Sequence, residues 1–175
     1  MPYVFEPWRG LHKEVVSASV VEELIQRTAG PLAVVEVGVL FGAHAEVMLS
    51  AFDFASYTGV DPYAEPGGDE AYGRARAVFD RWSGSARLLR TPSAAAAAGF
   101  AEGSLDLVFL DGDHSYAAVR EDIAAWTPKL RAGGRLLGHD YAFHFPGLVR
   151  AVRESLPQDQ HLRLGHDMMW WYDVT

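Results

Sequence analysis

Apolar residues recur at strand spacing and at helix spacing in turn along the chain. Leu32–Val37 is an apolar, β-branched run interrupted only by Glu36, which predicts a strand buried on both faces. Gly38 and Gly42 then bracket a tight turn, and Ala43–Phe52 has the pattern of a helix. A strand, a glycine-rich turn and a helix place backbone N–H groups at the carboxyl end of the strand, where open α/β sheets bind ligands.

The rest of the chain continues this alternation. Further helices are predicted over Ser19–Thr28, Glu70–Trp82, a short segment opened by Thr91-Pro92-Ser93, Tyr116–Trp126 and Pro146–Leu156. Strands are predicted over Tyr57–Asp61, Ala86–Arg90, Ser104–Asp111 and Arg135–Gly138, with a closing hairpin of Leu162–Leu164 and Met168–Tyr172. This order predicts an α/β fold, a doubly wound, mostly parallel seven-stranded sheet with an antiparallel edge and helices on both faces.

The first twelve residues are too rich in prolines and aromatic rings for a regular element. They carry Tyr3, Phe5 and Trp8. This aromatic N-terminal arm fits two roles, a lid over a binding site or a segment packed on the core or on a neighbouring subunit. The second role makes a homodimer one expectation.

Composition narrows the functional classes. With 175 residues, 49% of them hydrophobic, and no visible repeat or boundary, residues 1–175 are expected to form a single domain. The net charge of −8 argues against a nucleic-acid partner, which needs a basic surface. No apolar run approaches the roughly 20 residues that span a bilayer, and the N-terminus lacks a signal-peptide pattern, so we expect a cytoplasmic protein without a membrane partner. The absence of cysteine agrees with that compartment without proving it.

Polar clusters follow three of the predicted strands, at 36–42, 111–116 and 139–141. Carboxyl ends of parallel strands share one edge of the sheet, so these clusters are expected to converge into one site. Asp61 ends the second strand, about 20 residues after the glycine turn, and Pro62 follows. A carboxylate at that spacing can accept the two ribose hydroxyls of an adenosine, although a strand-end aspartate can also be only a turn residue.

The motifs themselves carry a family resemblance. Glu36-x-Gly38-x-x-x-Gly42 resembles motif I of the class I S-adenosylmethionine (SAM) dependent methyltransferases. The segments Asp111-Gly-Asp-His-Ser-Tyr and Gly134-Arg-Leu-Leu-Gly-His-Asp-Tyr are similar to those of the small-molecule group around macrocin O-methyltransferase, and more distantly to catechol O-methyltransferase. The likeness covers roughly residues 32 to 141. It implies a Rossmann-like fold, SAM as cofactor, and methyl transfer to an O or N atom of a small molecule.

The resemblance also implies roles for individual residues. Glu36 and Gly38 would hold the methionine end of SAM, Asp61 the ribose, and Ser93 or its neighbours the adenine. The complete set of expected cofactor-binding residues is Glu36, Gly38, Phe41, Gly42, Asp61, Pro62, Ser93 and Asp111.

A metal site is implied at the same edge. By position in the metal-dependent relatives, the ligands would be Asp111, His139 and Asp140. His139 stands where those relatives have a carboxylate, and imidazole suits transition metals better than magnesium. Two alternatives follow: a divalent metal, either magnesium or a transition metal, or a metal-free set that orients the acceptor.

The catalytic candidates are His114 and Asp140. His114 lies where relatives have a proposed general base, and an imidazole can take the acceptor proton near neutral pH. Its alternative role is to cap the loop. The sequence identifies the acceptor pocket less clearly than the cofactor site. Aromatic residues could line a flat apolar pocket, which would suit a planar or aromatic secondary metabolite as acceptor. Its candidate rings are Trp8, Tyr63, Tyr72, Tyr141, Phe143 and Phe145.

Two other functional classes fit parts of the pattern. A nicotinamide-dependent oxidoreductase would share the fold, but the turn lacks the Gly-x-Gly-x-x-Gly fingerprint, and Tyr116 is followed by Arg120 where a Tyr-x-x-x-Lys pair would have lysine. A SAM-binding domain without transfer activity is the other alternative. The polar clusters at the strand ends argue against it.

Overall fold

The computed structural model describes residues 12–28, 30–155 and 161–175 of the chain. The aromatic N-terminal arm lies outside the described residues, except that His12 begins the first helix. The helices are α1 (His12–Thr28), α2 (Ala43–Ala51), α3 (Gly68–Phe79), α4 (Ser93–Ala97), α5 (Tyr116–Trp126) and α6 (Pro146–Ser155). The strands are β1 (Ala33–Val37), β2 (Ser56–Asp61), β3 (Ala86–Arg90), β4 (Leu105–Leu110), β5 (Leu130–Gly138), β6 (Arg163–Leu164) and β7 (Trp170–Asp173).

One seven-stranded sheet organises these elements, in the order β3-β2-β1-β4-β5-β7-β6. Strands β1 to β5 pair in parallel, and β7 is antiparallel to both β5 and β6. The predicted fold class, a Rossmann-like and mostly parallel sheet with an antiparallel edge hairpin, is confirmed.

Successive apolar side chains of the central strands point to opposite faces of the sheet and form a core on each face. Phe109 and Leu137 belong to the core cluster that includes residues of α1, α2 and α3. Their neighbours Val108 and Leu136 belong to the second cluster, with residues of α4, α5 and α6. Successive strand side chains point to opposite faces, so each face needs its own layer of helices.

Some boundaries differ from the prediction. Helix α1 begins at His12 rather than Ser19, because polar residues in its first turns are buried; Ser17 is only 1% exposed, which hides the apolar stripe. Helix α3 begins at Gly68 rather than Glu70 and ends at Phe79, before a 3-10 turn. Strand β5 begins at Leu130 rather than Arg135, since its first residues pair with β4 through a shifted register. None of the described helices is both long and apolar enough to cross a bilayer.

Candidate active site

Strand register brings the three polar clusters together. Val37 lies opposite Leu110 on β4, and Leu110 lies opposite Gly138 on β5. The residues that follow these strand ends are therefore neighbours: the Asp111 N–H donates to the Val37 carbonyl at 2.8 Å, and the His139 N–H donates to the Leu110 carbonyl at 3.2 Å. The convergence expected from the sequence is confirmed.

The turn after β1 requires glycine for two reasons. Gly38 has φ +85°, and a Cβ at this position would lie 2.2 Å from the Asp111 carbonyl oxygen. The left-handed backbone and this close approach to β4 both exclude a side chain. Gly42, at φ +83°, immediately precedes α2. The turn is therefore pressed against the end of β4.

A cleft of about 910 Å³ runs along this edge of the sheet. That volume lies in the range of small-molecule sites. Six of the eight expected cofactor residues line it: Gly38, Phe41, Asp61, Pro62, Ser93 and Asp111. The catalytic candidate His114 lines the same cleft.

Glu36 is not among the residues that line the cleft, and its contact with the cofactor stays a prediction. Its side chain is 1% exposed and accepts a hydrogen bond of 2.5 Å from the Tyr57 hydroxyl. Because Glu36 is inside β1, its side chain points to a face of the sheet and not to the edge. Gly42 is the other expected residue outside the lining, and it is the N-cap residue of α2.

Asp61 faces the cleft and also holds the glycine turn. Its Oδ2 accepts hydrogen bonds from the Val39 and Leu40 N–H groups, each at 3.0 Å, and its Oδ1 accepts one from the Tyr63 N–H at 2.8 Å. A carboxylate has about four acceptor positions, so roughly one remains for a ligand hydroxyl. The contact with the ribose hydroxyls stays a prediction, with fewer free acceptor positions than an unbound carboxylate has.

Asp122 in α5 is a cleft residue that sequence reasoning missed. It is 8% exposed and lies near Ser93, whose hydroxyl accepts a hydrogen bond of 2.8 Å from the Trp126 indole. Burial raises the pKa of Asp122 to about 6, against the lowering effect of a hydrogen bond from Ser93. The signal was present in the sequence, because Asp122 is an acid on the apolar stripe of α5 between Val119 and Trp126.

The two catalytic candidates contact each other. His114 Nε2 lies 2.7 Å from Asp140 Oδ2, and the imidazole stacks on Phe145 with a centroid distance of 4.6 Å. Asp140 has φ +62°, an uncommon conformation for a residue other than glycine. Ser115 caps α5 by accepting from the Ala118 N–H, so His114 is not needed as a cap.

Only some of the aromatic residues proposed for the acceptor site lie at or near the cleft. Tyr63 lines the cleft although it is only 6% exposed, and Phe145 supports His114. Phe143 is 93% exposed, and Tyr72 and Tyr141 are partly buried against the core. Trp8 lies outside the described residues.

Asp111, His139 and Asp140 form a group whose potential ligand atoms lie within 4.8 Å of one another. His139 Nδ1 is 3.1 Å from Asp140 Oδ2 and 3.6 Å from Asp111 Oδ1. The other Asp111 oxygen accepts a hydrogen bond of 2.5 Å from the Lys13 ammonium. Lys13 is a second residue that sequence reasoning missed, and nothing in its spacing identified it.

These contacts shift three pKa values toward the charged forms. Burial lowers the pKa of Lys13, but the charge and hydrogen bond of Asp111 outweigh it, so that pKa is raised. The pKa of His139 is likewise raised against its burial by Asp111. Burial raises the pKa of Asp111, whereas His139 and Lys13 lower it, and the net direction is down. The charged forms therefore satisfy one another.

As arranged, this group does not fit a metal ion, although its three residues are close enough to share one. Metal binding needs free carboxylate oxygens and a neutral imidazole. Here one Asp111 oxygen is taken by an ammonium, and Asp140 Oδ2 is shared by two imidazoles. Of the two alternatives left open by the sequence, these contacts favour the metal-free set.

Comparison with known proteins gives the family and the fold. A family model described as a methyltransferase domain matches residues 35–141. The uncharacterized protein y4gI of Sinorhizobium fredii (strain NBRC 101917 / NGR234) is 28% identical in an alignment of 159 positions that covers 81% of this chain. The chain spans only 17% of the length of that relative.

Two solved structures share the fold. CalS11, described as a TDP-rhamnose 3'-O-methyltransferase of calicheamicin biosynthesis, aligns with a TM-score of 0.71 and 20% identity over 92% of this chain and 79% of its own. The O-methyltransferase NovP aligns with a TM-score of 0.69 and 18% identity over 95% of this chain and 81% of its own.

Proposed function

The chain belongs to the class I SAM-dependent methyltransferases, and we propose that it transfers the methyl group of SAM to an oxygen or nitrogen atom of a small molecule. The observation that carries this proposal is the single cleft lined by both Asp61 and His114. One end offers a carboxylate for an adenosine, and the other offers a histidine paired with a carboxylate. Such a cleft suits a cofactor and an acceptor held side by side.

The residues of the cleft fit the cofactor. Bound SAM supplies an electrophilic methyl carbon with a good leaving group. Asp61 keeps an acceptor position for a ribose hydroxyl, and Ser93 and Asp122 line the cleft beside it as partners for the adenine. Glu36 acts indirectly in this proposal, since its hydrogen bond with Tyr57 stabilises β1 just before the turn.

His114 takes the proton of the acceptor. A carboxylate accepts hydrogen bonds only, so the Asp140 carboxylate fixes the neutral His114 tautomer with the proton on Nε2. Its Nδ1 then carries the lone pair that accepts the acceptor proton, as in other base–carboxylate pairs. SAM would supply the methyl group and leave as S-adenosylhomocysteine, while His114 would hold the proton lost by the acceptor as an imidazolium balanced by Asp140.

A hydroxyl acceptor on a small molecule, in secondary metabolism, is the version we favour. CalS11 and NovP are both described as O-methyltransferases, and CalS11 as part of calicheamicin biosynthesis. Phe145 beside His114 adds a flat apolar surface, which supports a planar or aromatic acceptor. We also propose that the protein acts in the cytoplasm, with neither a nucleic acid nor a membrane as partner.

The test is a screen for release of S-adenosylhomocysteine from SAM. Matched pairs of planar phenols and anilines, together with sugar hydroxyls, are offered at neutral pH. We expect turnover with hydroxyl compounds that is lost in His114→Gln. Turnover confined to amines would overturn the hydroxyl preference, and SAM binding without turnover on any compound would favour the inert alternative.

A further inference from the structure

An ion pair joins the first turn of α1 to the end of β4 at the candidate site. Lys13 Nζ lies 2.5 Å from Asp111 Oδ2, across 98 residues of sequence. The Lys13 side chain is 30% exposed and that of Asp111 is 11% exposed. The pair is therefore partly buried at the edge of the sheet, next to His139 and Asp140, and not on an open surface.

Lys13 is held in place by a well-anchored helix. Val20, Val21 and Leu24 of α1 are at most 3% exposed in the core. Farther along α1, Glu23 forms hydrogen bonds of 2.9 and 3.2 Å with Arg135, whose side chain is 0% exposed. Since the helix is fixed by these contacts, the ammonium is brought to the strand ends by the fold itself.

We propose that the Lys13 ammonium is the cation of the acceptor site and takes the place of a divalent metal ion. It occupies an oxygen of Asp111, one of the three residues that could otherwise share an ion. A dication at this position would have to displace a bound ammonium or lie against it, and like charges at such short range repel strongly. The site is thus supplied with positive charge by the chain itself.

The role of the ammonium follows from its remaining hydrogen atoms and rests on the proposed methyl transfer. An ammonium has three donors, and Asp111 uses one of them. A second can donate to the acceptor oxygen, which is then held near His114 and stabilised as negative charge develops on it. A fixed cation favours an oxygen acceptor over an ammonium acceptor, since the latter is positively charged before transfer.

Manganese binding to the full chain tests the first half of this proposal without any acceptor. Free Mn²⁺ is measured by its electron paramagnetic resonance signal during titration of wild type, Lys13→Met and Lys13→Arg. Removal of the charge should tighten Mn²⁺ binding by about tenfold or more, whereas Lys13→Arg should behave as wild type. The gain should disappear in Lys13→Met combined with Asp140→Asn. Equal affinity in wild type and Lys13→Met, including no binding by either, overturns the proposal.

The matched control removes a cation from the other end of the same helix. Arg27 pairs with Asp173 at 3.5 Å, far along α1 from Lys13, so Arg27→Met should leave Mn²⁺ affinity unchanged. A gain in Arg27→Met equal to that in Lys13→Met would mean that overall charge is responsible, and would overturn the proposal.

Turnover of the best compound from the acceptor screen tests the second half. Lys13→Met should lower kcat by about tenfold or more, and added Mn²⁺ should restore part of it, whereas wild-type turnover should be indifferent to Mn²⁺. Full activity of Lys13→Met without metal overturns the role in acceptor binding. Titration of SAM into wild type and the same variants separates this result from the proposed function. Failure of the wild type to bind SAM would contradict methyl transfer, whatever the result with Mn²⁺.

Discussion

His114 Nε2 and Asp140 Oδ2 lie 2.7 Å apart although they come from loops after two different strands. The contact fixes the plane and the tautomer of the imidazole, and Phe145 supports its face. Adjacent parallel strands make this possible, since β4 and β5 end side by side. The pairing fixes the orientation of the proposed base, His114, before any substrate binds.

Removal of the base should affect turnover and not cofactor binding. His114→Gln is expected to lower kcat by about 10²- to 10⁴-fold with a hydroxyl acceptor, the usual contribution of a general base. The Kd of SAM should stay within about twofold of wild type, because the glycine turn and Asp61 are untouched. Steady-state kinetics and calorimetry measure the two quantities. His144→Gln, at an exposed residue of the neighbouring loop, is the control, and similar losses in both variants would contradict the role of His114.

Gly38 should be intolerant of any side chain. Gly38→Ala would place a Cβ 2.2 Å from the Asp111 carbonyl oxygen at φ +85°, so we expect a loss of about 2–4 kcal/mol in the free energy of unfolding, and weaker SAM binding. Urea denaturation measures the loss. Gly73→Ala, inside α3 with open space around it, should instead stabilise by about 0.5–1 kcal/mol. A neutral Gly38→Ala would show that the turn is not pressed against β4.

Asp122 should make stability depend on pH in an unusual direction. Its pKa is raised by burial from 3.8 to about 6, and Glu121 and Asp113 add to the rise against the Ser93 hydrogen bond. The folded state then binds the proton more tightly than the unfolded state, so the contribution is favourable at low pH and is lost as pH rises to about 6.

Asp122→Asn removes this pH-dependent contribution to the stability of the fold. We expect the free energy of unfolding of the variant, relative to wild type, to increase by about 2.5 kcal/mol between pH 4 and pH 7.5, most of the effect of a shift of about two pKa units. Denaturation at a series of pH values measures it. Glu102→Gln, at an exposed acid that does not contribute to the pKa of Asp122, should show little change over that range. A difference that stays constant with pH would contradict the raised pKa.

Arg135, a residue of β5, should stabilise the packing of α1 on the sheet. Its side chain is 0% exposed and binds Asp173 at 2.6 Å as well as Glu23. Arg135→Met leaves the partly buried Asp173 and the half-exposed Glu23 unpaired, and we expect a loss of about 2 kcal/mol at neutral pH, against less than about 1 kcal/mol for Arg27→Met.

The effect of Arg135 should also depend on pH. Hydrogen bonding to Arg135 lowers the pKa of Glu23, and it lowers the pKa of Asp173 against the effect of burial, so their contribution is present at neutral pH and is lost as pH falls through those lowered values. The destabilisation of Arg135→Met, followed by urea denaturation, should therefore shrink in acid. A loss that is the same at pH 7 and in acid would contradict the pairing.

Local periodicity explains what could be predicted from the sequence. β3 and α5 have the bounds that their apolar spacing indicated, and the strand-end clusters converge because parallel strands end at one edge. The start of α1 was missed because its first turns bury polar groups. A pattern of apolar residues cannot indicate that polar residues such as Glu14 and Ser17 are buried.

The sequence failed to predict the contacts of some site residues for a different reason. Lys13 contacts Asp111 across 98 residues, and only the packing of α1 on the sheet brings them together. Glu36 was assigned by motif to the cofactor, but alternation along a strand turns its side chain to the face where Tyr57 lies. Both cases show that strand ends can be located from sequence, whereas the direction of a side chain needs the packed fold.

Calorimetric titration of the purified protein with SAM, with NAD as the control ligand, tests the cofactor assignment most directly. We expect micromolar binding of SAM at one site per chain and no heat with NAD, since the cleft offers Asp61 and a glycine turn that lacks the dinucleotide fingerprint. Binding of NAD without binding of SAM would contradict the assignment, together with every role given to the residues of the cleft.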